Sequence, residues 1–315
     1  MFMELGTKFS VTIPAYKRTY LKETIDSCLS QTYQNFELVI VNDASPEDLD
    51  SIVSSYSDKR IRYYKNEKNC GAVNVVDNWN KCLEYANGDY IICMGDDDRL
   101  LPNCLQEYVN LISENPGLGV YHAWTEVIDE NGNFFNMQSP RPKYEGAFSL
   151  CWNRWNGRRL QFIGDFCFET KRLKDDGGFY KLPMAWASDD ISAVRAARFN
   201  GIANTQEVCF QYRVNRQSIT RTGSFLIKME ATLGEKEWYE NFVRTVQPIN
   251  VIEEKYKELI SEYLDLHFRD KFKNQMSADM KSNPFNVIHW IKNRKKFGLS
   301  LIRVLEALFL AQKRR

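Results

Sequence analysis

The sequence predicts an α/β protein, in which a mainly parallel sheet is flanked by helices and is followed by a helical C-terminal region. Short apolar, β-branched runs alternate with amphipathic helical patterns over residues 9–94. Near-continuous apolar strands of this kind are typical of a parallel sheet that is covered on both faces. From about residue 225 the pattern is helical. These observations predict an α/β unit over 1–222 and a helical region over 223–315.

Four apolar runs predict the strands of the first half, at residues 9–13, 36–41, 61–64 and 89–94. Apolar residues at helical spacing between them predict helices over 20–31, 48–56 and 73–86. Each of these strands is separated from the next by a helix, which is the usual connection between parallel strands.

The second half has a less regular pattern. It predicts a helix from Pro102 to about residue 113, a strand near 120–127 and a hairpin turn at 129–133. Residues 140–160 are rich in Pro, Arg, Trp and Gly, which predicts a loop-rich segment. A helix over 188–200 and a strand over 208–214 complete this half.

Composition excludes several classes of protein. The 315 residues carry a net charge of +1, which gives no tendency to bind nucleic acid. The eight cysteines form no CxxC pair, and the N-terminus has no secretory pattern, so we expect a cytoplasmic protein with reduced thiols. No apolar run has the length of a membrane span.

Polar residues follow three of the predicted strands. They are the loop at 14–16, Asp43 and the acidic run 96–98. Because ligands bind beyond the carboxyl ends of parallel strands, we expect these three segments to converge. Adjacent carboxylates repel one another, and a Mg²⁺ or Mn²⁺ ion with oxygen ligands would relieve the repulsion. The alternative is a solvated acidic turn that caps the next helix.

Six short segments, taken in order, resemble the family 2 glycosyltransferases of the GT-A (Rossmann-like) fold. They are residues 11–16, 27–33, 36–45, 69–71, 87–91 and 95–98. The resemblance implies an inverting, metal-dependent transfer of a sugar from a nucleotide-sugar, with UDP favoured over GDP or dTDP. Two alternatives stay open: a sugar-phosphate nucleotidyltransferase, and a nucleotide-sugar-binding module without turnover.

The resemblance also implies a donor site and a metal site. The residues that it assigns to the donor nucleotide are Pro14, Ala15, Tyr16, Asp43, Asn69, Gly71, Asp96 and Asp97. Those that it assigns to a Mn²⁺ or Mg²⁺ ion are Asp96, Asp97 and Asp98. Many relatives have Asp where this chain has Gly95, so the division of roles within the acidic run is open.

A second segment resembles the part of the family that carries the catalytic base. Residues 177–179 are followed by 186–190, although Ser188 stands where many relatives have Glu. An inverting transfer needs a carboxylate that takes the proton of the acceptor hydroxyl. This role is assigned to Asp189, with Asp190 as the second candidate. The alternative is that both residues cap the following helix.

Further candidates are less specific. Arg213, Arg216 and Ser218 resemble a family segment near the diphosphate, or they form a surface strand and basic loop. Trp152 and Trp155 could stack on an acceptor sugar, or they fill the core. Gly164 and Asp165 lie where relatives approach the sugar, and they are further candidates for contact with the acceptor.

The C-terminal segment is basic and amphipathic. Basic residues at 292–296 precede apolar residues at helical spacing over 297–309. Such a helix can lie on an anionic membrane face, or it can pack on its own domain or a partner chain. We expect peripheral contact with the cytoplasmic face of the inner membrane, where a lipid-linked saccharide or other glycan of surface polysaccharide synthesis would be the acceptor. The Gln-x-x-Arg-Trp motif of processive relatives is absent, which indicates single addition.

Overall fold

The computed structural model describes residues 6–215 and 224–313, and within them the chain folds around one mixed sheet. The strands are β1 (Phe9–Ala15), β2 (Phe36–Asn42), β3 (Ile61–Lys65), β4 (Tyr90–Cys93), β5 (Arg99–Leu100), β6 (Val120–Ile128), β7 (Phe134–Met137), β8 (Tyr144–Glu145), β9 (Phe166–Glu169) and β10 (Ile202–Arg213). Their order is β3-β2-β1-β4-β9-β6-β10-β5, with β7 paired to β6 and β8 to β10.

Helices cover the sheet and make up most of the C-terminal region. They are α1 (Leu21–Leu29), α2 (Asp50–Ser54), α3 (Val75–Tyr85), α4 (Cys104–Glu114), α5 (Ala147–Trp155), α6 (Thr170–Asp175), α7 (Ser188–Ala197), α8 (Phe225–Thr245), α9 (Val251–Ser282), α10 (Asn286–Asn293) and α11 (Leu301–Lys313). Short 3-10 helices lie at 72–74, 163–165, 183–185 and 294–297.

The first four strands follow the predicted pattern. β1 pairs in parallel with both β2 and β4, and β2 pairs in parallel with β3. All seven residues of β2 are buried, as the continuous apolar run requires. The carboxyl ends of β1, β2 and β4 therefore share one edge of the sheet.

The other half of the sheet is mixed rather than parallel. β9 lies between β4 and β6 and is antiparallel to both, whereas β6 and β10 pair in parallel. The short run 166–169 carries no local signal that fixes its direction, so the sequence did not predict this insertion.

The segment over 140–160, predicted to be rich in loops, contains a helix, so that prediction was wrong for residues 147–155. α5 buries Phe148, Leu150 and Cys151 against the core. Its spacing is helical, but Pro142 and Gly146 stand directly before it and obscured the pattern.

Apolar side chains pack on both faces of the sheet. Along β4, Ile91 and Cys93 join one cluster, whereas Ile92 belongs to the other, as the period of two in a strand requires. The cluster of Ile91 also contains Phe268 of α9 and Val304 of α11. The helical C-terminal region therefore shares a core with the α/β part.

Candidate functional site

A cavity of about 930 Å³ opens where the predicted strand ends meet. One wall comes from the carboxyl edge of the parallel strands, and the opposite wall comes from α5, α7, α8 and α9. The predicted site residues that line it are Pro14, Tyr16, Asp43, Asn69, Gly71, Asp96, Asp97, Asp98, Trp155, Asp189 and Asp190. Ala15, Trp152, Gly164, Asp165 and Arg213 are not among the residues that line it.

Asp43 is held at the tip of β2 by hydrogen bonds from the following loop. Its carboxylate accepts from the side chain of Asn66 at 2.8 Å and from the backbone N–H of Cys70 at 3.0 Å. Its own N–H donates to the carbonyl of Ala15 at 2.9 Å. Ala15 is buried and thus contributes its backbone to the position of Asp43.

The loop at 69–71 closes over Asp43. The side chain of Asn69 donates to the backbone carbonyl of Asp43 at 2.8 Å, and it accepts from the N–H of Gly71. Gly71 has a φ of 76°, a backbone conformation that favours glycine. The turn therefore depends on glycine at this position.

Asp96 links the acidic run to the tip of β1. Its Oδ2 accepts from the backbone N–H groups of Tyr16 at 2.7 Å and Lys17 at 2.6 Å. Burial, reinforced by the charge of Asp97, raises the pKa of Asp96 to about 6. These contacts give Asp96 a positioning role at the tip of β1, and its contact with a metal ion stays a prediction.

Asp97 and Asp98 direct carboxylate oxygens to one place, beside Gly95. Asp98 Oδ1 accepts from the N–H of Arg213 at 2.9 Å, and Asp97 Oδ2 accepts from the side chain of Asn215. A Cβ at Gly95 would lie 2.8 Å from the other oxygen of Asp97 and 2.9 Å from that of Asp98. Glycine at this position therefore leaves room for both oxygens.

The pair fits a hard divalent cation. Burial, reinforced by the charge of Asp97, raises the pKa of Asp98 well above its usual range, so the ionised pair is costly without a counter-ion. Mg²⁺ typically takes one or two protein carboxylates and completes its shell with phosphate oxygens and water. Across residues 6–215 and 224–313, no three Asp, Glu, His or Cys side chains are grouped to hold a metal. A two-carboxylate site is the arrangement that these residues fit.

Arg213 does not reach the cavity, which corrects its predicted contact with phosphate. Its guanidinium donates to Glu23 at 2.7 Å and to the backbone carbonyl of Asp97 at 2.8 Å, and it lies 4.2 Å from the ring centroid of Tyr20. Arg213 therefore supports the acidic run from the side that faces away from the cavity. The other two diphosphate candidates, Arg216 and Ser218, lie outside the described residues.

Asp189 and Asp190 have different surroundings at the start of α7. Asp190 accepts from Arg154 at 2.8 Å and from Gln161 at 2.8 Å. Asp189 accepts only the N–H of Asp190, at 2.9 Å, and no side chain within the described ranges donates to it. Burial and the charge of Asp190 raise the pKa of Asp189 to about 7. Of the two carboxylates, Asp190 is therefore the one that is paired with a cation.

The backbone before Asp189 is strained. Met184, Ala185 and Ala187 have φ values of 60°, 52° and 64°, although none is glycine. Left-handed conformations of such residues cost free energy and persist where the surrounding structure enforces them. All three residues line the cavity, so the strained turn also shapes it.

The predicted acceptor residues separate into two groups. Trp155 lines the cavity and stacks on His267, with ring centroids 4.1 Å apart, whereas Trp152 packs on Tyr263. Gly164 and Asp165 lie behind the cavity wall, and Asp165 is fully buried. Their position corrects the prediction of direct acceptor contact for this pair.

Comparison with known proteins decides the family. The model of glycosyl transferase family 2 matches residues 10–173. The chain belongs to glycosyltransferase family 2. This assignment makes it a transferase and decides against the nucleotidyltransferase alternative.

Two relatives illustrate how this glycosyltransferase compares with other members. An uncharacterized glycosyltransferase of Rickettsia typhi is 32% identical over 222 residues, which cover 68% of this chain and 66% of the relative, just under two thirds of its length. The Escherichia coli protein named UDP-Glc:alpha-D-GlcNAc-diphosphoundecaprenol beta-1,3-glucosyltransferase WfgD is 30% identical over 214 residues, covering 67% of this chain and 79% of the relative.

Solved structures share the GT-A fold of this glycosyltransferase. Staphylococcus aureus TarS 1–349 in complex with UDP-GlcNAc aligns with a TM-score of 0.66 and 16% identity, over 98% of this chain and 91% of that one. The mannosyltransferase PcManGT of Pyrobaculum calidifontis, in complex with GDP-Man and Mn²⁺, aligns with a TM-score of 0.57 and 16% identity, over 98% and 88% of the two chains.

Sequence reasoning missed the wall of the glycosyltransferase cavity that the C-terminal helices supply. Glu235 of α8 accepts from Lys271 of α9 at 2.7 Å, and His267 lies one turn before Lys271. Burial lowers the pKa of His267 to about 3, so its ring is neutral. Polar residues four apart on a long helix are the only local signal, and it does not distinguish a cavity from a solvated face.

Proposed function

We propose that this glycosyltransferase moves a sugar, with inversion, from a UDP-sugar to a hydroxyl of a lipid-linked saccharide in bacterial surface polysaccharide synthesis. The name of the Escherichia coli relative supports a UDP-sugar donor and a diphosphate-linked lipid acceptor. The UDP-GlcNAc complex of the fold neighbour TarS is consistent with that donor. GDP and dTDP sugars are the competing donors.

One observation carries the proposal: Asp189 faces the same cavity as Asp43 and the acidic run, and it has no cation as a partner in the described residues. Its carboxylate takes the proton of the acceptor hydroxyl as that oxygen bonds to C1 of the sugar. The bond from C1 to the diphosphate oxygen breaks on the opposite face, and its electron pair leaves with the nucleotide. Asp190 remains paired to Arg154 and keeps Asp189 oriented through the start of α7.

Asp97 and Asp98 would hold a divalent ion, which supplies charge neutralisation for the departing diphosphate. Asp96 fixes the tip of β1 next to the ion-binding pair through its two backbone contacts. Asp43 and Asn69 form the nucleotide end, where a carboxylate suits the N–H donors of a base.

The acceptor would occupy the end of the cavity between α5 and α9. Trp155 presents a ring there, and aromatic faces suit the apolar face of a sugar. Three buried polar atoms in this wall lack a hydrogen-bond partner within the described part of the chain: Trp155 Nε1, His267 Nε2 and Gln161 Oε1. Buried polar groups are normally paired, so hydroxyl groups of a saccharide would satisfy them.

Thermal stabilisation by nucleotide-sugars, measured with and without Mn²⁺, tests the donor site. A donor that binds the native state raises the melting temperature by mass action. We expect the largest shift with a UDP-sugar, and we expect Asp98→Asn to lose the part that depends on Mn²⁺. A larger shift of the melting temperature with GDP-mannose would overturn the choice of UDP as the donor nucleotide.

Transfer to a synthetic GlcNAc-diphospho-lipid tests Asp189 as the catalytic base. The release of UDP measures the transfer. Asp189→Asn should keep the donor-induced shift and lose transfer by about 10²- to 10⁴-fold. Asp175→Asn, at an exposed position of α6, is the matched control and should keep full activity. Undiminished transfer by Asp189→Asn would exclude Asp189 as the base.

A further inference from the structure

α11 exposes an apolar face although its opposite face is anchored in the core. Val304, Ala307 and Ala311 are buried against the rest of the protein. On the outer side, the exposed fractions are 46% for Leu301, 68% for Ile302, 48% for Leu305 and 59% for Phe309. Leu301, Leu305 and Phe309 repeat every four residues and therefore lie along one side of the helix.

α10 repeats this arrangement. Trp290 anchors it inward, and its indole N–H donates to Asp279 at 2.8 Å. On the other side, Phe285 is 78% exposed and Ile288 is 54% exposed. Lys292 follows Ile288 one turn later and is also exposed. α10 and α11 pack against each other.

This part of the chain has a surplus of positive charge. Over residues 281–313 there are seven basic side chains, and Glu306 is the only acidic one. Lys296 is paired with Glu230 and Arg303 with Glu306. Within the described residues, no carboxylate lies in ion-pair range of Lys292 or Lys295, so their charge is available to a partner.

We propose that the exposed faces of α10 and α11, which we call the C-terminal face, dock on an anionic membrane surface. The face consists of Phe285, Ile288, Leu301, Ile302, Leu305 and Phe309 with the flanking Lys292, Lys295 and Lys313. Apolar side chains bordered by lysines are typical of helices that lie in the interface of an anionic bilayer.

Two features favour a lipid surface over a second copy of the chain. A two-fold dimer through this face would bring identical clusters of lysines together, and their repulsion opposes association. Lys313 lies 4.7 Å from the ring centroid of Phe309, so its ammonium can stay at the headgroups while the ring enters the acyl region. None of the helices in the described residues has the length and apolarity to cross a membrane.

Flotation of the full-length protein with vesicles tests this proposal independently of the proposed function. We expect binding to vesicles that contain phosphatidylglycerol, weak binding to pure phosphatidylcholine, and release by high salt because surface charges are screened. The variant Ile302→Glu/Phe309→Glu should lose at least about tenfold in partitioning, and Lys292→Glu/Lys295→Glu should lose a comparable amount.

The matched control is Val251→Glu/Ile252→Glu at the start of α9. These residues are 68% and 67% exposed, as much as Ile302, but they lie where glutamate suits the helix terminus. The control should bind vesicles as the unaltered protein does, and all variants should keep its melting temperature. The proposal would be overturned by equal losses of vesicle binding in the control and test variants, or by equal binding to both kinds of vesicle. It would also be overturned by a dimer that only Ile302→Glu/Phe309→Glu dissociates.

Discussion

Among single residues, Asp189 leads to a prediction about pH. Its raised pKa of about 7 means that the carboxylate is protonated in acid and ionised in base. Because only the ionised form can accept a proton, kcat/KM should rise as the pH increases through about 7 and then level off. The charge of Arg154 lowers this pKa, so Arg154→Met should move the rise to higher pH. A pH–rate profile of both proteins measures the shift, and a rise at lower pH in the variant would contradict it.

Asp96 leads to a prediction about stability. Its carboxylate accepts two backbone N–H groups and is buried. Asp96→Ala leaves both donors without an acceptor, which should cost about 2 kcal/mol in the free energy of unfolding. Asp96→Asn keeps an acceptor oxygen and removes repulsion with Asp97, so its loss should be smaller. Urea unfolding compares the two variants, and equal losses would argue against a positioning role.

At the scale of the elements, the sequence predicts the strands and helices whose signal lies in their own residues. The strands β1, β2 and β4 are recognisable because each is a mostly apolar run between polar loops. The cavity wall at the strand ends followed from them, since parallel strands place their carboxyl ends together.

The start of α5 lacks a local capping signal because a distant residue caps it. Glu253 of α9 accepts from the N–H of Phe148 at 2.7 Å and of Ser149 at 3.0 Å. A Cβ at Gly146 would clash with the same carboxylate, so the glycine that suggested a loop is required by the cap. Contacts between residues so far apart in the chain cannot be inferred from spacing. The cavity wall that depends on α5 and α9 was hidden for the same reason.

The strained turn before α7 gives a prediction at this scale. Glycine tolerates the φ of 64° at Ala187, so Ala187→Gly should stabilise the fold by about 0.5–1 kcal/mol. The same change should lower kcat, because a freer backbone holds Asp189 less firmly. Ala196→Gly, at a right-handed position in the last turn of α7, is the matched control and should destabilise by about 0.5–1 kcal/mol. Denaturant unfolding and turnover measure both effects; destabilisation by Ala187→Gly would remove the argument for strain.

For the whole molecule, the predicted division near residue 222 can be tested by removing the helical region. The sheet and α8–α11 share one apolar cluster, which runs from Val76 to Ala311. A chain truncated after Asn215 would expose that surface and lose the Glu253 cap of α5. We therefore expect it to be aggregated or partly unfolded, whereas the full chain should unfold in one transition by both fluorescence and circular dichroism. A monomeric truncated chain with cooperative unfolding would establish two independent domains instead.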